Sequence, residues 1–306
     1  GVLLERGADL YPCFDFGAQG ILYEQKGAAG YVSTWHDACE ETRELITAWD
    51  QVRGALERDS ELVTFLSAKA RKHRLENPKA SFADIRRNIE DRILRDAITN
   101  EKKIRSNYPR TEVALTLAHT VLGGDEHDRA ASAIIDDMVE KSTAVDGVTG
   151  EKGLPAYASY VITGLAGFIE TFARRDDAFL PDLAKRHPNL LNTWRFHIDT
   201  WFECIYYPHS GDGGAFAGRD SLYAGARTSK NPGLEPSMFS FLVRLGRLTG
   251  EPAYLQVAWR ENGRSAEALP RDLFASDPEA DRQAVSDAVA RHGDIPKVGS
   301  VNKEEW

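Results

Sequence analysis

Between Tyr206 and Phe216 the chain reads Tyr-Tyr-Pro-His-Ser-Gly-Asp-Gly-Gly-Ala-Phe. A histidine, a serine, an aspartate and three glycines stand within six residues. Glycine lets a backbone approach a ligand closely, and three exceed what a solvated turn requires. His209 titrates near neutral pH and can move a proton. Tyr206 and Tyr207 offer stacking surface, and Asp212 a carboxylate. The same run also reads as a helix C-cap followed by a tight Asp-Gly turn.

Two other loops carry polar and aromatic residues between apolar stretches. One is Arg105-Ser106-Asn107-Tyr108-Pro109-Arg110-Thr111-Glu112; the other spans residues 145–157, from Val145-Asp146-Gly147 through Glu151-Lys152-Gly153 to Tyr157. The elements that must position them are helical. Apolar residues recur at three and four over 37–56, 60–74, 81–98, 113–122, 129–141, 156–174, 190–206, 236–248 and 252–262. Thr34-Trp35-His36-Asp37 and Ser81-Phe82-Ala83-Asp84 have capping-box form, and Gly123-Gly124 is a helix stop. No run alternates with period two, so the expected class is all-α. In an array of antiparallel helix pairs, loops two helices apart emerge at one end. The three polar loops are therefore expected on one rim, a site-like arrangement.

Composition narrows the function. The 306 residues are 42% hydrophobic and 9% aromatic with a formal charge of −9, which fits a folded globular chain and argues against a nucleic-acid partner. No apolar run of about 18 residues offers a membrane span. Gly1-Val2-Leu3-Leu4-Glu5-Arg6 lacks the apolar core of a signal peptide. The first residue is Gly rather than Met, which suggests that an upstream segment was removed. Cys13, Cys39 and Cys204 are too scattered for a disulfide framework, and no pair has metal-site spacing. Residues 1–275 read as one helical domain. Residues 276–306 read as a polar tail or as a connection to a further domain. The charges of Arg71-Lys72-His73-Arg74 and Glu101-Lys102-Lys103 read as solvated faces. Trp201 and Cys204 read as core.

Taken in order, the loops resemble the heparinase II/III-like polysaccharide lyases over residues 104–248. The first segment, Asn107-Tyr108-Pro109-Arg110-Thr111-Glu112, stands where that family carries an Asn-aromatic-Gly-x-His-Gln pattern before an apolar helix. Asp146-Gly147 leading to Tyr157 resembles the family's Asp-Gly turn and the Tyr that follows. Pro208-His209-Ser210-Gly211-Asp212 resembles its Pro-x-x-Gly-Asp turn. Pro109, Thr111 and Glu112 depart from the Gly, His and Gln of the first motif. The resemblance implies an incomplete (α/α) toroid of antiparallel helix pairs. The family's C-terminal β-sandwich, which usually supplies a catalytic His, does not follow in this chain.

It also implies β-elimination on a uronate-containing polysaccharide. The C5 proton becomes acidic only when the adjacent carboxylate is neutralised by a hydrogen-bonding amide or guanidinium. Asn107 fits as that amide and Arg110 as a bidentate partner. Tyr157 takes the acid/base role from its family position, and His209 is a second proton-transfer candidate. Glu112, Glu151, Tyr206, Tyr207 and Asp212 are the expected substrate-binding residues. No cofactor is evident; a divalent metal would belong to the missing sandwich. The implied location is periplasmic or secreted, and the expected partner is an acidic polysaccharide, with no nucleic acid and no membrane.

Two other readings stay open. One is an α/α-toroid glycoside hydrolase using Asp212 and Glu151 as paired carboxylates. The other is a non-catalytic sugar-binding helical domain. Each candidate also has a plain structural role: Asn107 as a turn residue, Tyr157 as a half-buried aromatic, Arg110 in a surface ion pair and His209 as a helix C-cap.

Overall fold

The computed structural model describes residues 1–13, 35–143, 157–199, 201, 204, 236–270 and 277–296. It is mostly helical, with no strand among the described residues. The all-α expectation therefore holds. The chain divides into two compact units, Gly1–Asp136 and Asp137–Trp306.

The first unit contains α1 (Val2–Leu10), α2 (Trp35–Leu56), α3 (Ser60–His73), α4 (Phe82–Ile89), α5 (Asp96–Thr99) and α6 (Arg110–Leu122). Short 3-10 turns at Tyr11–Cys13 and Glu101–Ile104 and a π-helical turn at Glu90–Arg95 join these elements. α7 (Asp125–Ser142) carries the chain into the second unit. Local chemistry sets several of these boundaries. Asp59 caps α3 by accepting from the Leu62 amide at 2.9 Å. At the start of α4 the Ser81 hydroxyl accepts from the Asp84 amide and the Asp84 carboxylate accepts from the Ser81 amide, a full capping box, as their spacing predicts. Gly123, at φ 68°, ends α6 in a conformation that costs a side-chain-bearing residue more. α2 lies along α6 and also against the π turn. Tyr11, Ile46, Trp49, Ile85, Ile89, Ile93, Leu94 and Ala114 form the fully buried centre.

The second unit contains α8 (Tyr157–Ala173), α9 (Phe179–Arg186), α10 (Asn189–Asp199), α11 (Pro236–Thr249), α12 (Pro252–Glu261) and α13 (Pro278–His292). α11 is its hub, packing on α8, α12 and α13. Leu165, Ile169, Trp194, Phe241, Leu245 and Val285 are buried there. Arg244 of α11 grips the buried Glu170 of α8 through two hydrogen bonds, at 3.0 and 3.2 Å.

Several expectations need correction. Residues 276–306 are not all polar tail: Asp277 caps α13, with Pro278 at its first turn, and Val285 and Ala288 are buried. So few apolar residues anchor this helix that its period disappears among charges. α1 and α9 also escaped the pattern, being only 9 and 8 residues long. The helix expected over 190–206 stops at Asp199. Lys103 is not on a solvated face. Its ammonium donates to the Tyr11 carbonyl at 2.9 Å, pairs with Asp96 at 2.6 Å and lies over the Tyr11 ring. Thr34, the expected cap of α2, lies outside the described residues.

Candidate functional site

The expected site residue with most structure around it is Asn107, in the loop that leads into α6. Ile104 is fully buried and anchors the turn before it. The loop then folds around Thr111. The Thr111 hydroxyl accepts from the Ser106 amide at 2.9 Å and donates to the Ile104 carbonyl at 3.3 Å. The Arg110 amide donates to the Asn107 carbonyl at 2.9 Å, which closes the turn through a cis Tyr108-Pro109 bond. Asn107 and Arg110 are thereby held on one turn. Pro109 is the N-cap of α6 and brings no side-chain cap. The Asn107 carboxamide, half-buried, has no hydrogen-bond partner among the described residues.

α2 supplies the other wall. Arg110 Nε lies 3.6 Å from Glu40 Oε1, and the second oxygen of Glu40 meets Arg43 Nη2 at 2.8 Å. The Arg110 contact is longer than a charge-assisted hydrogen bond. Beneath them Cys39 is buried, and burial is the main reason its thiol is pushed up to about 12. That thiol stays protonated and is no nucleophile. Glu112 is half-buried in the first turn of α6. The loop thus presents an amide and a guanidinium at an uncapped helix start, where the backbone favours negative charge.

Of the expected site, the described residues bring together Asn107, Arg110 and Glu112. Tyr157 opens α8 in the second unit, and its side chain lies outside the described residues. Glu151, Tyr206, Tyr207, His209 and Asp212 lie outside them entirely, and with them the second and third loops of the expected rim. Trp201 and Cys204 are buried, as their core reading requires. Glu40, Arg43 and Cys39 were not legible as neighbours of this loop. They come from a helix some seventy positions earlier, and no local spacing links them to it.

Three other constellations were not read from the sequence. Lys79, only 2% exposed, pairs with Glu5 and, at 2.8 Å, with Asp9; Asn88 donates to both carboxylates at 3.0 Å. His119 and His127 meet Nδ1 to Nδ1 at 2.9 Å, and Arg95 Nη1 reaches His127 Nε2 at 3.1 Å. In the second unit a cleft of about 580 Å³ is lined by Phe239, Val243, Leu269 and Pro278, with Ser240 and Asp281 among its polar groups. Among the described residues, no group of three His, Cys, Asp or Glu is placed to hold a metal ion. No described helix is long and apolar enough to cross a membrane.

Comparison with protein-family models, with curated proteins and with solved structures gave no match for this chain.

Proposed function

We propose that the chain is the helical portion of a polysaccharide lyase that cleaves a uronate-containing polymer by β-elimination, built as an incomplete toroid of helix pairs. One observation carries this reading. The Asn107 carboxamide, without a partner among the described residues, and the Arg110 guanidinium share one turn at the uncapped start of α6. Such a pair suits a carboxylate whose charge grows as C5 loses its proton. The amide donates to one oxygen, and the guanidinium donates to the other, which takes the place of Glu40 beside it. Donors fixed in advance stabilise the aci-carboxylate more than the ground-state substrate, and that difference accelerates the step. Tyr157 is assigned proton transfer at C5 or at the leaving O4, with His209 as the second such group. Glu112, Glu151, Tyr206, Tyr207 and Asp212 complete the assigned substrate contacts.

The test is ultraviolet absorbance of the unsaturated product during incubation with a panel of polyuronates. Wild-type protein is expected to produce it. Asn107→Ala is expected to lower kcat by about 100- to 1000-fold, the usual loss for one oxyanion donor. Tyr157→Phe is expected to abolish turnover. Product formed by Asn107→Ala at the wild-type rate overturns the assignment. Reducing sugar released without an unsaturated end would favour a hydrolase instead.

A further inference from the structure

α3 ends in a concentration of positive charge, five basic residues within the six positions 69–74. Lys69, Arg71, Lys72, His73 and Arg74 are all exposed. None of them forms an ion pair with a carboxylate among the described residues. Elsewhere arginines are regularly paired: Arg43, Arg86, Arg95, Arg195, Arg244 and Arg282 each meet an acid. Glu76, the nearest acid after the cluster, joins none of them in an ion pair. A chain with a formal charge of −9 thus gathers four permanent cations and an imidazole at one place, with no ion pair to them among the described residues.

The helix itself does not require so many. The C-terminal half-charge of a helix is served within its last turn by one or two cations. Arg71 also donates to the Ser67 hydroxyl at 3.2 Å, and the Arg74 amide closes the helix onto Ala70 and Arg71 from a left-handed conformation, at φ 53°. Phe65 is 46% exposed beside these charges, with the Lys69 ammonium 5.2 Å above its ring. Phe65, Lys69 and Lys72 follow one another at i, i+4 and i+7, which sets them along one strip of the helix. An exposed aromatic ring bordered by cations offers both a stacking face and charge.

We propose that the C-terminal end of α3 is an accessory docking surface for an acidic polysaccharide, separate from the loop before α6. The choice of polyanion rests on the lyase reading. The negative overall charge also disfavours a nucleic acid, whose dense phosphates would meet repulsion beyond the patch. The surface would hold a long chain near the protein through charges that need no fixed geometry. It should therefore act on long substrates and not on short ones.

The test is fluorescence anisotropy of end-labelled alginate with the whole protein, alongside a single-stranded DNA oligomer of equal charge. The variant Lys69→Ala/Arg71→Ala/Lys72→Ala/Arg74→Ala changes only exposed side chains. A control, Arg58→Ala/Lys102→Ala/Arg129→Ala/Lys185→Ala, removes equal charge at other exposed positions. The patch variant is expected to bind alginate at least tenfold more weakly, with the control close to wild type and wild-type binding falling as salt rises. On long chains its KM should rise while kcat holds; on short oligosaccharides neither should change. No binding of alginate by wild type, equal losses in both variants, or tighter binding of DNA than of alginate each overturns the proposal. A protein that binds alginate through the patch but forms no unsaturated product from any polyuronate of the panel upholds it while overturning the lyase reading.

Discussion

Replacing Lys79 by Met should destabilise the first unit by about 3–5 kcal/mol, the usual loss when one partner of a buried ion pair is removed. The structure shows why the loss belongs near that range. Lys79 and Glu5 are 2% and 1% exposed. Lys79 and Asn88 are the donors to Glu5 Oε2, and Glu5 Oε1 has no hydrogen-bond partner among the described residues. Without the ammonium, Glu5 keeps one amide contact at 3.0 Å for a full buried charge. Asp9 is less vulnerable, since its side chain is 24% exposed and water can replace the lost partner. Methionine retains most of the apolar stem, so the loss is mainly electrostatic. The positive φ of 50° at this position bears equally on either residue.

Urea unfolding followed by circular dichroism reads this loss as a lower midpoint at unchanged slope. Two further arms test the cause. Glu5→Gln in the Lys79→Met background removes the stranded charge, and more than half of the lost stability should return. Acidification should act the same way. Burial already raises the Glu5 pKa, and the two largest opposing influences both come from Lys79. A carboxyl whose folded pKa is raised favours the folded state at low pH and loses that advantage as pH rises through the folded value. The deficit of Lys79→Met should therefore shrink as pH falls. A loss below about 1 kcal/mol, in the range of exposed pairs, would refute the buried-charge reasoning. So would a Glu5→Gln change that adds to the damage.

Three other perturbations test separate parts of the fold. Arg95 can only donate, so His127 carries its proton on Nδ1 and donates to His119. Burial, and then His127, hold the His119 pKa below its usual value, so stability is present above the unfolded pKa of about 6.5 and declines as pH falls below it. His119→Leu should flatten the fall in Tm between pH 7 and pH 5, and an equal fall in both proteins would contradict this. Ser81→Ala breaks the capping box of α4 and should lower stability by about 1 kcal/mol in urea titration. Gly246→Ala would place a Cβ 2.7 Å from Leu255 Cγ, between α11 and α12, and should lower stability by about 1–3 kcal/mol.

Some of this architecture is legible in residue types alone, because local chemistry decides it. The Ser81–Asp84 box and the Gly123-Gly124 stop are written within four residues each. α13 is not, because its caps are local but its burial is decided by α11 and α12. Lys79 lies in a polar stretch, Asn77-Pro78-Lys79-Ala80-Ser81, that reads as open loop. It is buried because α1, seventy residues earlier, brings Glu5 and Asp9 to it. The same distance hides Glu40 and Arg43 from the loop before α6. Charge pairing across the fold leaves no period in the sequence.

The π turn is different, since its signal was present. Ile85, Ile89, Ile93 and Ala97 are all fully buried at a strict spacing of four. At about 100° per residue, a regular helix would turn such a row away from the core by about 40° at each step. One wider turn at Glu90–Arg95 absorbs that drift and keeps all four inside, with Leu94 alongside. It also carries Arg92 into reach of the Ala8 and Asp9 carbonyls, at 2.9 Å each, tying down the end of α1. A spacing of exact fours is thus a mechanical instruction. It fixes α1, and through α1 it fixes the carboxylates that Lys79 neutralises. The buried ion cluster depends on the aliphatic row beneath it, which is why its charges could not be read one residue at a time.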